Sequence, residues 1–145
     1  MPERNIDVFF YGLFMDVEFL KSQGLSPSHP LLAKVQDFDL VIGRRATLLP
    51  NPGAYVYGLV IGIPWNQVEQ LYREESVSDY RPEAVLALLE NQKPVAALCY
   101  NLPVIDDFPP NQLYTQRLFE LTRALSFPQD HLNKIQKFLT DMKKV

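Results

Sequence analysis

Ile6-Asp7-Val8-Phe9-Phe10-Tyr11-Gly12-Leu13-Phe14-Met15-Asp16 is the stretch on which the reading of the chain turns. In its first half Ile6, Val8 and Phe10 alternate with Asp7 and Phe9, a β-branched and aromatic run that predicts a largely buried strand. Tyr11-Gly12 ends that strand. Leu13, Met15, Val17 and Leu20 follow among acidic residues, and Asp16 with Phe19 and Leu20 behind it marks a helix start. The unit is therefore strand, tight turn, helix. A turn through glycine lets backbone approach a ligand closely, and a helix start leaves N–H groups without partners, so a small molecule bearing a carboxylate fits here. Gly12 serves equally as a plain turn residue, because no phosphate-loop spacing surrounds it.

Composition narrows the class. A chain of 145 residues predicts a single domain over 1–145 with a core large enough to stand without staples. The apolar fraction of 47% with 21% charged residues is that of a soluble globular protein. No apolar run approaches the roughly 18 residues of a membrane helix, and Met1-Pro2-Glu3-Arg4-Asn5 lacks the basic start and apolar core of a secretory signal. The lone Cys99 forms no internal disulfide, so the expected compartment is the cytoplasm, with no membrane partner. A net charge of −3 argues against a nucleic-acid partner, and the doublet Arg44-Arg45 reads as the exposed side of a strand or turn.

Downstream, Lys21 to Pro30 reads as a loop carrying a solvated His29. From Leu31 to Ile63 the pattern turns to β, with Pro50-Asn51-Pro52-Gly53 predicting a turn between a short Ala46–Leu49 strand and a strong Ala54–Ile63 strand. Gly58 and Gly62 lie on one face of the latter, which points either to a close approach or cavity there or to simple coiling of the sheet. A hairpin follows over Ser76 to Leu102, with Cys99 and Tyr100 on opposite faces. Cys99 reads as an inert packed thiol, and Tyr100 offers a hydroxyl to a pocket or packs at a sheet edge. Two helices close the chain. The first, Asn111 to Leu125, presents Tyr114, Leu118, Leu121 and Leu125 as an apolar face. The last presents Leu132, Ile135, Phe138, Leu139 and Met142, carries Lys143 and Lys144 at its end to suit the dipole, and has His131 as a surface residue of its first turn.

Between sheet and hairpin, Pro64 starts a helix over Trp65 to Glu75. At 100° per residue, Val68, Leu71 and Glu75 share one stripe, while Gln67, Gln70 and Glu74 form another. On that reading Glu75 faces inward and loses hydration, which raises its pKa toward the range of a general base. If the helix stops earlier, the side chain swings into solvent. No histidine, cysteine and carboxylate set has metal-ligand spacing, and neither a phosphate loop nor a serine elbow is present, so no metal or cofactor is expected.

With these residues in hand, the chain resembles the gamma-glutamyl cyclotransferase-like family across most of its length. Phe9-Phe10-Tyr11-Gly12-Leu13-Phe14-Met15-Asp16 is similar to that family's strand ending in Y-G-x-x. Leu71-Tyr72-Arg73-Glu74-Glu75 is similar to its L-x-x-x-E helix end, followed by Tyr80 opening the next strand. The segment Pro109 to Ile135 looks like its C-terminal helix pair. The resemblance implies an α+β fold, a small mostly antiparallel β-barrel-like sheet with flanking helices. It implies Glu75 as proton acceptor and Tyr11, Gly12, Leu13 and Phe14 as a substrate cradle, with Tyr80 and Tyr100 completing the substrate-binding set. It implies a cofactor-free enzyme that turns a gamma-glutamyl amino acid or amine into 5-oxoproline, within glutathione-related metabolism, its partner being that small-molecule substrate. Leu13 stands where the family usually has Ser or Thr, and Phe14 where it often has Asn or Leu. Those departures motivate the alternative of a non-catalytic or repurposed small-molecule-binding domain.

Overall fold

The computed structural model describes residues 4–104 and 108–143, with side chains placed through Leu139. Five strands close into a barrel in the order β1-β3-β2-β4-β5, where β1 is Asn5–Phe10, β2 Ser28–Ile42, β3 Ala46–Pro64, β4 Arg81–Leu89 and β5 Pro94–Asn101. Every neighbouring pair is antiparallel except β1 with β5, which meet in parallel at Val8 and Leu98. The expected α+β barrel-like sheet with flanking helices is therefore present. Helices α1 (Val17–Ser22), α2 (Trp65–Leu71), α3 (Gln112–Ala124) and α4 (Gln129–Lys143) surround it. Among the described residues no helix is long and apolar enough to cross a membrane.

Val8, Phe9 and Phe10 are buried, as are Val56 and Leu59 to Ile61 on the strand beside them, so the strand opening the chain is the barrel's inner stave. Asp16 caps α1, its carboxylate accepting the Phe19 N–H at 3.2 Å. The predicted turn at Pro50–Gly53 does not break the sheet. β3 runs as one strand of 19 residues through it and bulges there: Gln36 pairs with Tyr55 and Phe38 with Pro50, so Asn51 to Ala54 of β3 stand opposite Asp37 alone. There the register shifts between Gln36 and Phe38, Asp37 adopts a φ of +67°, and its carboxylate accepts the Gly53 N–H at 3.0 Å. The true reversal is Gly43-Arg44-Arg45, where the Gly43 N–H donates to the Arg45 carbonyl at 3.0 Å. His29 is exposed, as expected, although it stands inside β2.

Gly58 marks a close approach. A Cβ there would lie 2.3 Å from the Phe10 carbonyl oxygen and 2.7 Å from the Phe9 ring, so the face above it is filled by β1. The α4 stripe buries Leu132 and Ile135 and packs Phe138 against the core, while Met142, Lys143 and Lys144 lie outside the described side chains. Leu125, expected on the inward face of α3, is exposed, because α3 ends at Ala124 and Leu125 is already its C-cap.

His131 is not a surface residue. It is 2% exposed, wedged edge-on against Tyr57 and beside Phe127, and neither ring nitrogen has a hydrogen-bond partner. The first turn of α4 lies against β3, and a helix start shown only as sequence does not reveal which side it leans on. Burial, assisted by the Lys134 charge and opposed by Asp130, pulls the imidazole pKa down to about 4.

Two outcomes follow for stability. Gly58→Ala forces backbone against backbone and lowers the unfolding free energy by about 1–3 kcal/mol or more, measured by urea denaturation. Because the folded His131 resists protonation, stability is full above the unfolded pKa of about 6.5 and falls as the pH drops toward 4. His131→Phe should flatten that acid limb, by up to about 3 kcal/mol on the same linkage, in denaturation midpoints at pH 7, 5.5 and 4.5.

Candidate functional site

β1 delivers its last residues to one end of the barrel. Tyr11 is buried there with its hydroxyl 2.8 Å from the Tyr100 carbonyl and 2.9 Å from Asn101 Oδ1, tying the end of β1 to the end of β5. Burial pushes this phenol well above its ordinary pKa, so it stays a neutral donor. Asn101, itself buried, also faces the Leu48 N–H at 3.4 Å and donates to the Glu83 carboxylate. The chain then turns through Gly12 into a single 3-10 turn, Leu13–Met15.

Beside this turn opens a cavity of about 780 Å³, within the size range of small-molecule sites. Tyr11, Gly12, Leu13, Phe14, Tyr80 and Tyr100, all predicted from the sequence, line it. Phe14 does not plug it. Its ring is held in the wall, edge-on to Phe10 and Tyr72 and stacked with Phe19 at 6.1 Å. Tyr72 stacks on Tyr100 at 3.8 Å with planes 9° apart, and the Tyr80 hydroxyl donates to the Ala46 carbonyl at 2.5 Å.

Glu75 departs from the predicted placement. α2 ends at Leu71, Tyr72 is its C-cap, and Glu74 is extended at φ −57°, ψ 136° before a second 3-10 turn over Glu75–Val77. The stripe joining Val68, Leu71 and Glu75 is broken four residues early, and Glu75 is exposed. Its carboxylate does not line the cavity, whereas the next two residues, Ser76 and Val77, do. The inward position after Leu71 is taken by Tyr72.

The side of the cavity facing the turn is α3, which the sequence reading assigned wholly to packing. Asn111 caps α3 by accepting the Tyr114 N–H at 3.1 Å, and its own N–H donates to the Gly43 carbonyl at 2.8 Å, pinning the helix to the β2–β3 reversal. Tyr114, Arg117 and Leu121 then follow at i, i+3 and i+7 along the cavity wall, with Glu120 beside them. The Tyr114 hydroxyl sits directly over the turn, 2.4 Å from where a Cβ on Gly12 would be. Burial pushes this phenol up as well, with Tyr80 adding to the effect and the Leu13 backbone opposing it. Gly12 is thus required by a close approach.

Charge at this cavity is confined to Asp16, Arg45, Arg117 and Glu120. Arg45 is engaged, donating from both terminal nitrogens to Asp79 at 2.7 and 2.6 Å and to the Ser76 carbonyl at 2.9 Å. That guanidinium holds the Asp79 carboxyl below the usual carboxylate range. Cys99 is buried, its thiol pushed up to about 12 chiefly by burial, as an inert packed residue requires. Among the described residues no cluster of three potential metal ligands occurs.

A five-stranded barrel whose first strand ends in an amide-bearing glycine turn beside a tyrosine-walled cavity defines a class of small-molecule site, and comparison with known proteins places it. The family model described as gamma-glutamyl cyclotransferase, AIG2-like, matches residues 8–119, and the chain belongs to that family. Among solved structures it resembles one titled gamma-glutamyl cyclotransferase, with a TM-score of 0.79 and 19% identity over 91% of this chain and 86% of the other. It also resembles YkqA from Bacillus subtilis, with a TM-score of 0.78 and 20% identity over 94% of this chain but only 54% of YkqA. An AIG2-like protein from mouse follows, with a TM-score of 0.60 and 16% identity over 74% of this chain and 86% of the other. At these identities the likeness is one of fold. No curated protein matches the chain.

Gly12→Ala sets a Cβ 2.4 Å from the Tyr114 hydroxyl, so the ring or the turn must shift. The expected result is a loss of about 1–3 kcal/mol in unfolding free energy by urea denaturation, partly recovered when Tyr114→Phe removes the clashing oxygen from the same chain. An equal loss with and without that oxygen would show that the hydroxyl does not set the approach.

Proposed function

We propose that this cavity binds a gamma-glutamyl amino acid or amine and cyclises it, releasing 5-oxoproline and the free amino acid or amine. Four elements support the reading: family membership, a cavity of suitable size, the amides after Gly12, and the position of Glu75 immediately before the cavity-lining Ser76. The last is the observation that supports it most, because Glu75 is one residue along the chain from the cavity wall.

In the proposed reaction the substrate's anionic end lies against the Gly12–Phe14 turn and the Tyr114 hydroxyl. Backbone donors need no particular side chain, so Leu13 and Phe14 shape the pocket without removing its hydrogen bonds. Glu75 rotates inward about the extended Glu74 backbone and takes a proton from the α-ammonium. The freed amine attacks the γ-carbonyl carbon, a C–N bond closes the five-membered ring, and the original amide C–N bond breaks as the proton passes to the leaving nitrogen. All atoms come from substrate, and Glu75 ends as it began. Such an activity belongs with the turnover of glutathione-related compounds in the cytoplasm.

The solvent-facing carboxylate of Glu75 favours one other reading, a domain that keeps the cradle and binds a gamma-glutamyl compound without converting it.

Incubation with a panel of gamma-glutamyl amino acids and amines, followed by 5-oxoproline assay, decides between them. The expected outcome is product from the wild type and a loss of about 100-fold or more in kcat for Glu75→Gln, with KM little changed. Calorimetric binding without product in either protein would establish the binding domain, and an undiminished rate in Glu75→Gln would remove Glu75 from the chemistry.

A further inference from the structure

Arg117 and its surroundings say what the second half of the ligand carries. Of the four charged residues at the cavity, three have partners: Asp16 accepts the Phe19 N–H, Arg45 holds Asp79, and Glu120 accepts from the Gln116 amide at 3.0 Å. Arg117 has no acidic partner among the described residues. It stands one helical turn beyond Tyr114, whose hydroxyl marks the amide cradle, so a ligand anchored at the cradle and extending along α3 meets the guanidinium with its far end. Tyr72, Tyr80 and Tyr100 make the cavity wall largely aromatic, and its other cation, Arg45, is already engaged by Asp79.

We propose that Arg117 determines the leaving group, selecting gamma-glutamyl compounds whose departing half bears a carboxylate, a free α-amino acid, over gamma-glutamyl amines that lack one. This rests on the cavity being a gamma-glutamyl site and adds to it the chemistry of the departing half. A guanidinium presents a planar fork that matches a carboxylate in two parallel hydrogen bonds, and the neighbouring rings lower the local dielectric around the pair. A departing amine without that group leaves Arg117 solvated and gains nothing from it. Arg117 touches the substrate's distal end and not the reacting atoms, so its effect falls on binding.

The test uses a matched pair, gamma-glutamylalanine and gamma-glutamylethylamide, which differ only by the distal carboxylate. Wild type, Arg117→Gln and Arg117→Lys are compared by 5-oxoproline release and, in parallel, by calorimetric affinity. Arg117 is exposed on α3 and glutamine is a good helix former, so the variant folds. The expected result is a wild-type preference for the alanine compound of about three- to tenfold, in the range of a partly exposed charge pair. Arg117→Gln should abolish it through KM for that compound alone, and Arg117→Lys should restore part of it. Equal use of both compounds by the wild type, or an equal loss on both in Arg117→Gln, overturns the proposal while leaving the cyclisation intact. If no 5-oxoproline forms from either compound, the cyclisation fails and the same pattern in Kd upholds the role of Arg117. Equal affinity for both, or no binding of either, overturns it.

Discussion

The barrel depends on how its closing pair of strands is held together. β1 and β5 run parallel, meet in register at Val8 and Leu98, and have no connecting hairpin to hold them, whereas β1–β3, β2–β3 and β4–β5 are extended antiparallel ladders and β2–β4 a short antiparallel one of three residue pairs. Parallel pairing is the slightly weaker kind. What secures this seam at the functional end is the Tyr11 hydroxyl between the Tyr100 carbonyl and Asn101, in a place where water does not compete. The same phenol fixes where β1 stops and where the glycine turn begins. Closure of the barrel and the position of the amide cradle are therefore one constraint.

How much of this was legible in the sequence depends on the range of the forces involved. The strand–turn–helix unit at Ile6–Leu20 follows from local patterning, whereas the barrel-like fold and the cavity positions of Tyr11 to Phe14 came from the resemblance to the family. Glu75 illustrates the limit. A period of 3.6 places it inward only if the helix persists, and the helix stops at Leu71 because Tyr72 finds a better fit stacked on Tyr100, a residue 28 positions away that periodicity knows nothing about. Tyr114 and Arg117 show the opposite case. Their spacing on α3 was visible, but an apolar stripe with a tyrosine in it reads as core until the turn it covers is known. Asn101 and the burial of His131 left no local signature, since both are set by long-range contact. The turn signal at Pro50–Gly53 was real but marks a bulge within β3 and not a reversal, because pairing with β2 resumes on both sides of it, which only the partner strand decides.

The cavity is built mostly from rings. Tyr72, Tyr80, Tyr100 and Phe14 form a continuous set of stacked and edge-on contacts, and rings of this kind are rigid and carry little rotamer entropy to lose. The turn after β1 contributes amides on one side and α3 contributes a hydroxyl and a guanidinium on the other. This division puts fixed hydrogen bonding deep in the site and adjustable charge near its mouth.

The reversal between β2 and β3 reaches across to the segment bearing Glu75. Arg45 grips Asp79 and the Ser76 carbonyl, and its guanidinium lies over the Tyr80 ring at 5.4 Å. Both partners of this ion pair are partly exposed, so dissolved electrolyte weakens their attraction, while the ring contacts lining the hollow do not respond in that way. The tether on the acidic rim segment is thus the ionic-strength-sensitive part of an otherwise salt-tolerant architecture. Raising the electrolyte concentration slackens that rim before it disturbs the barrel.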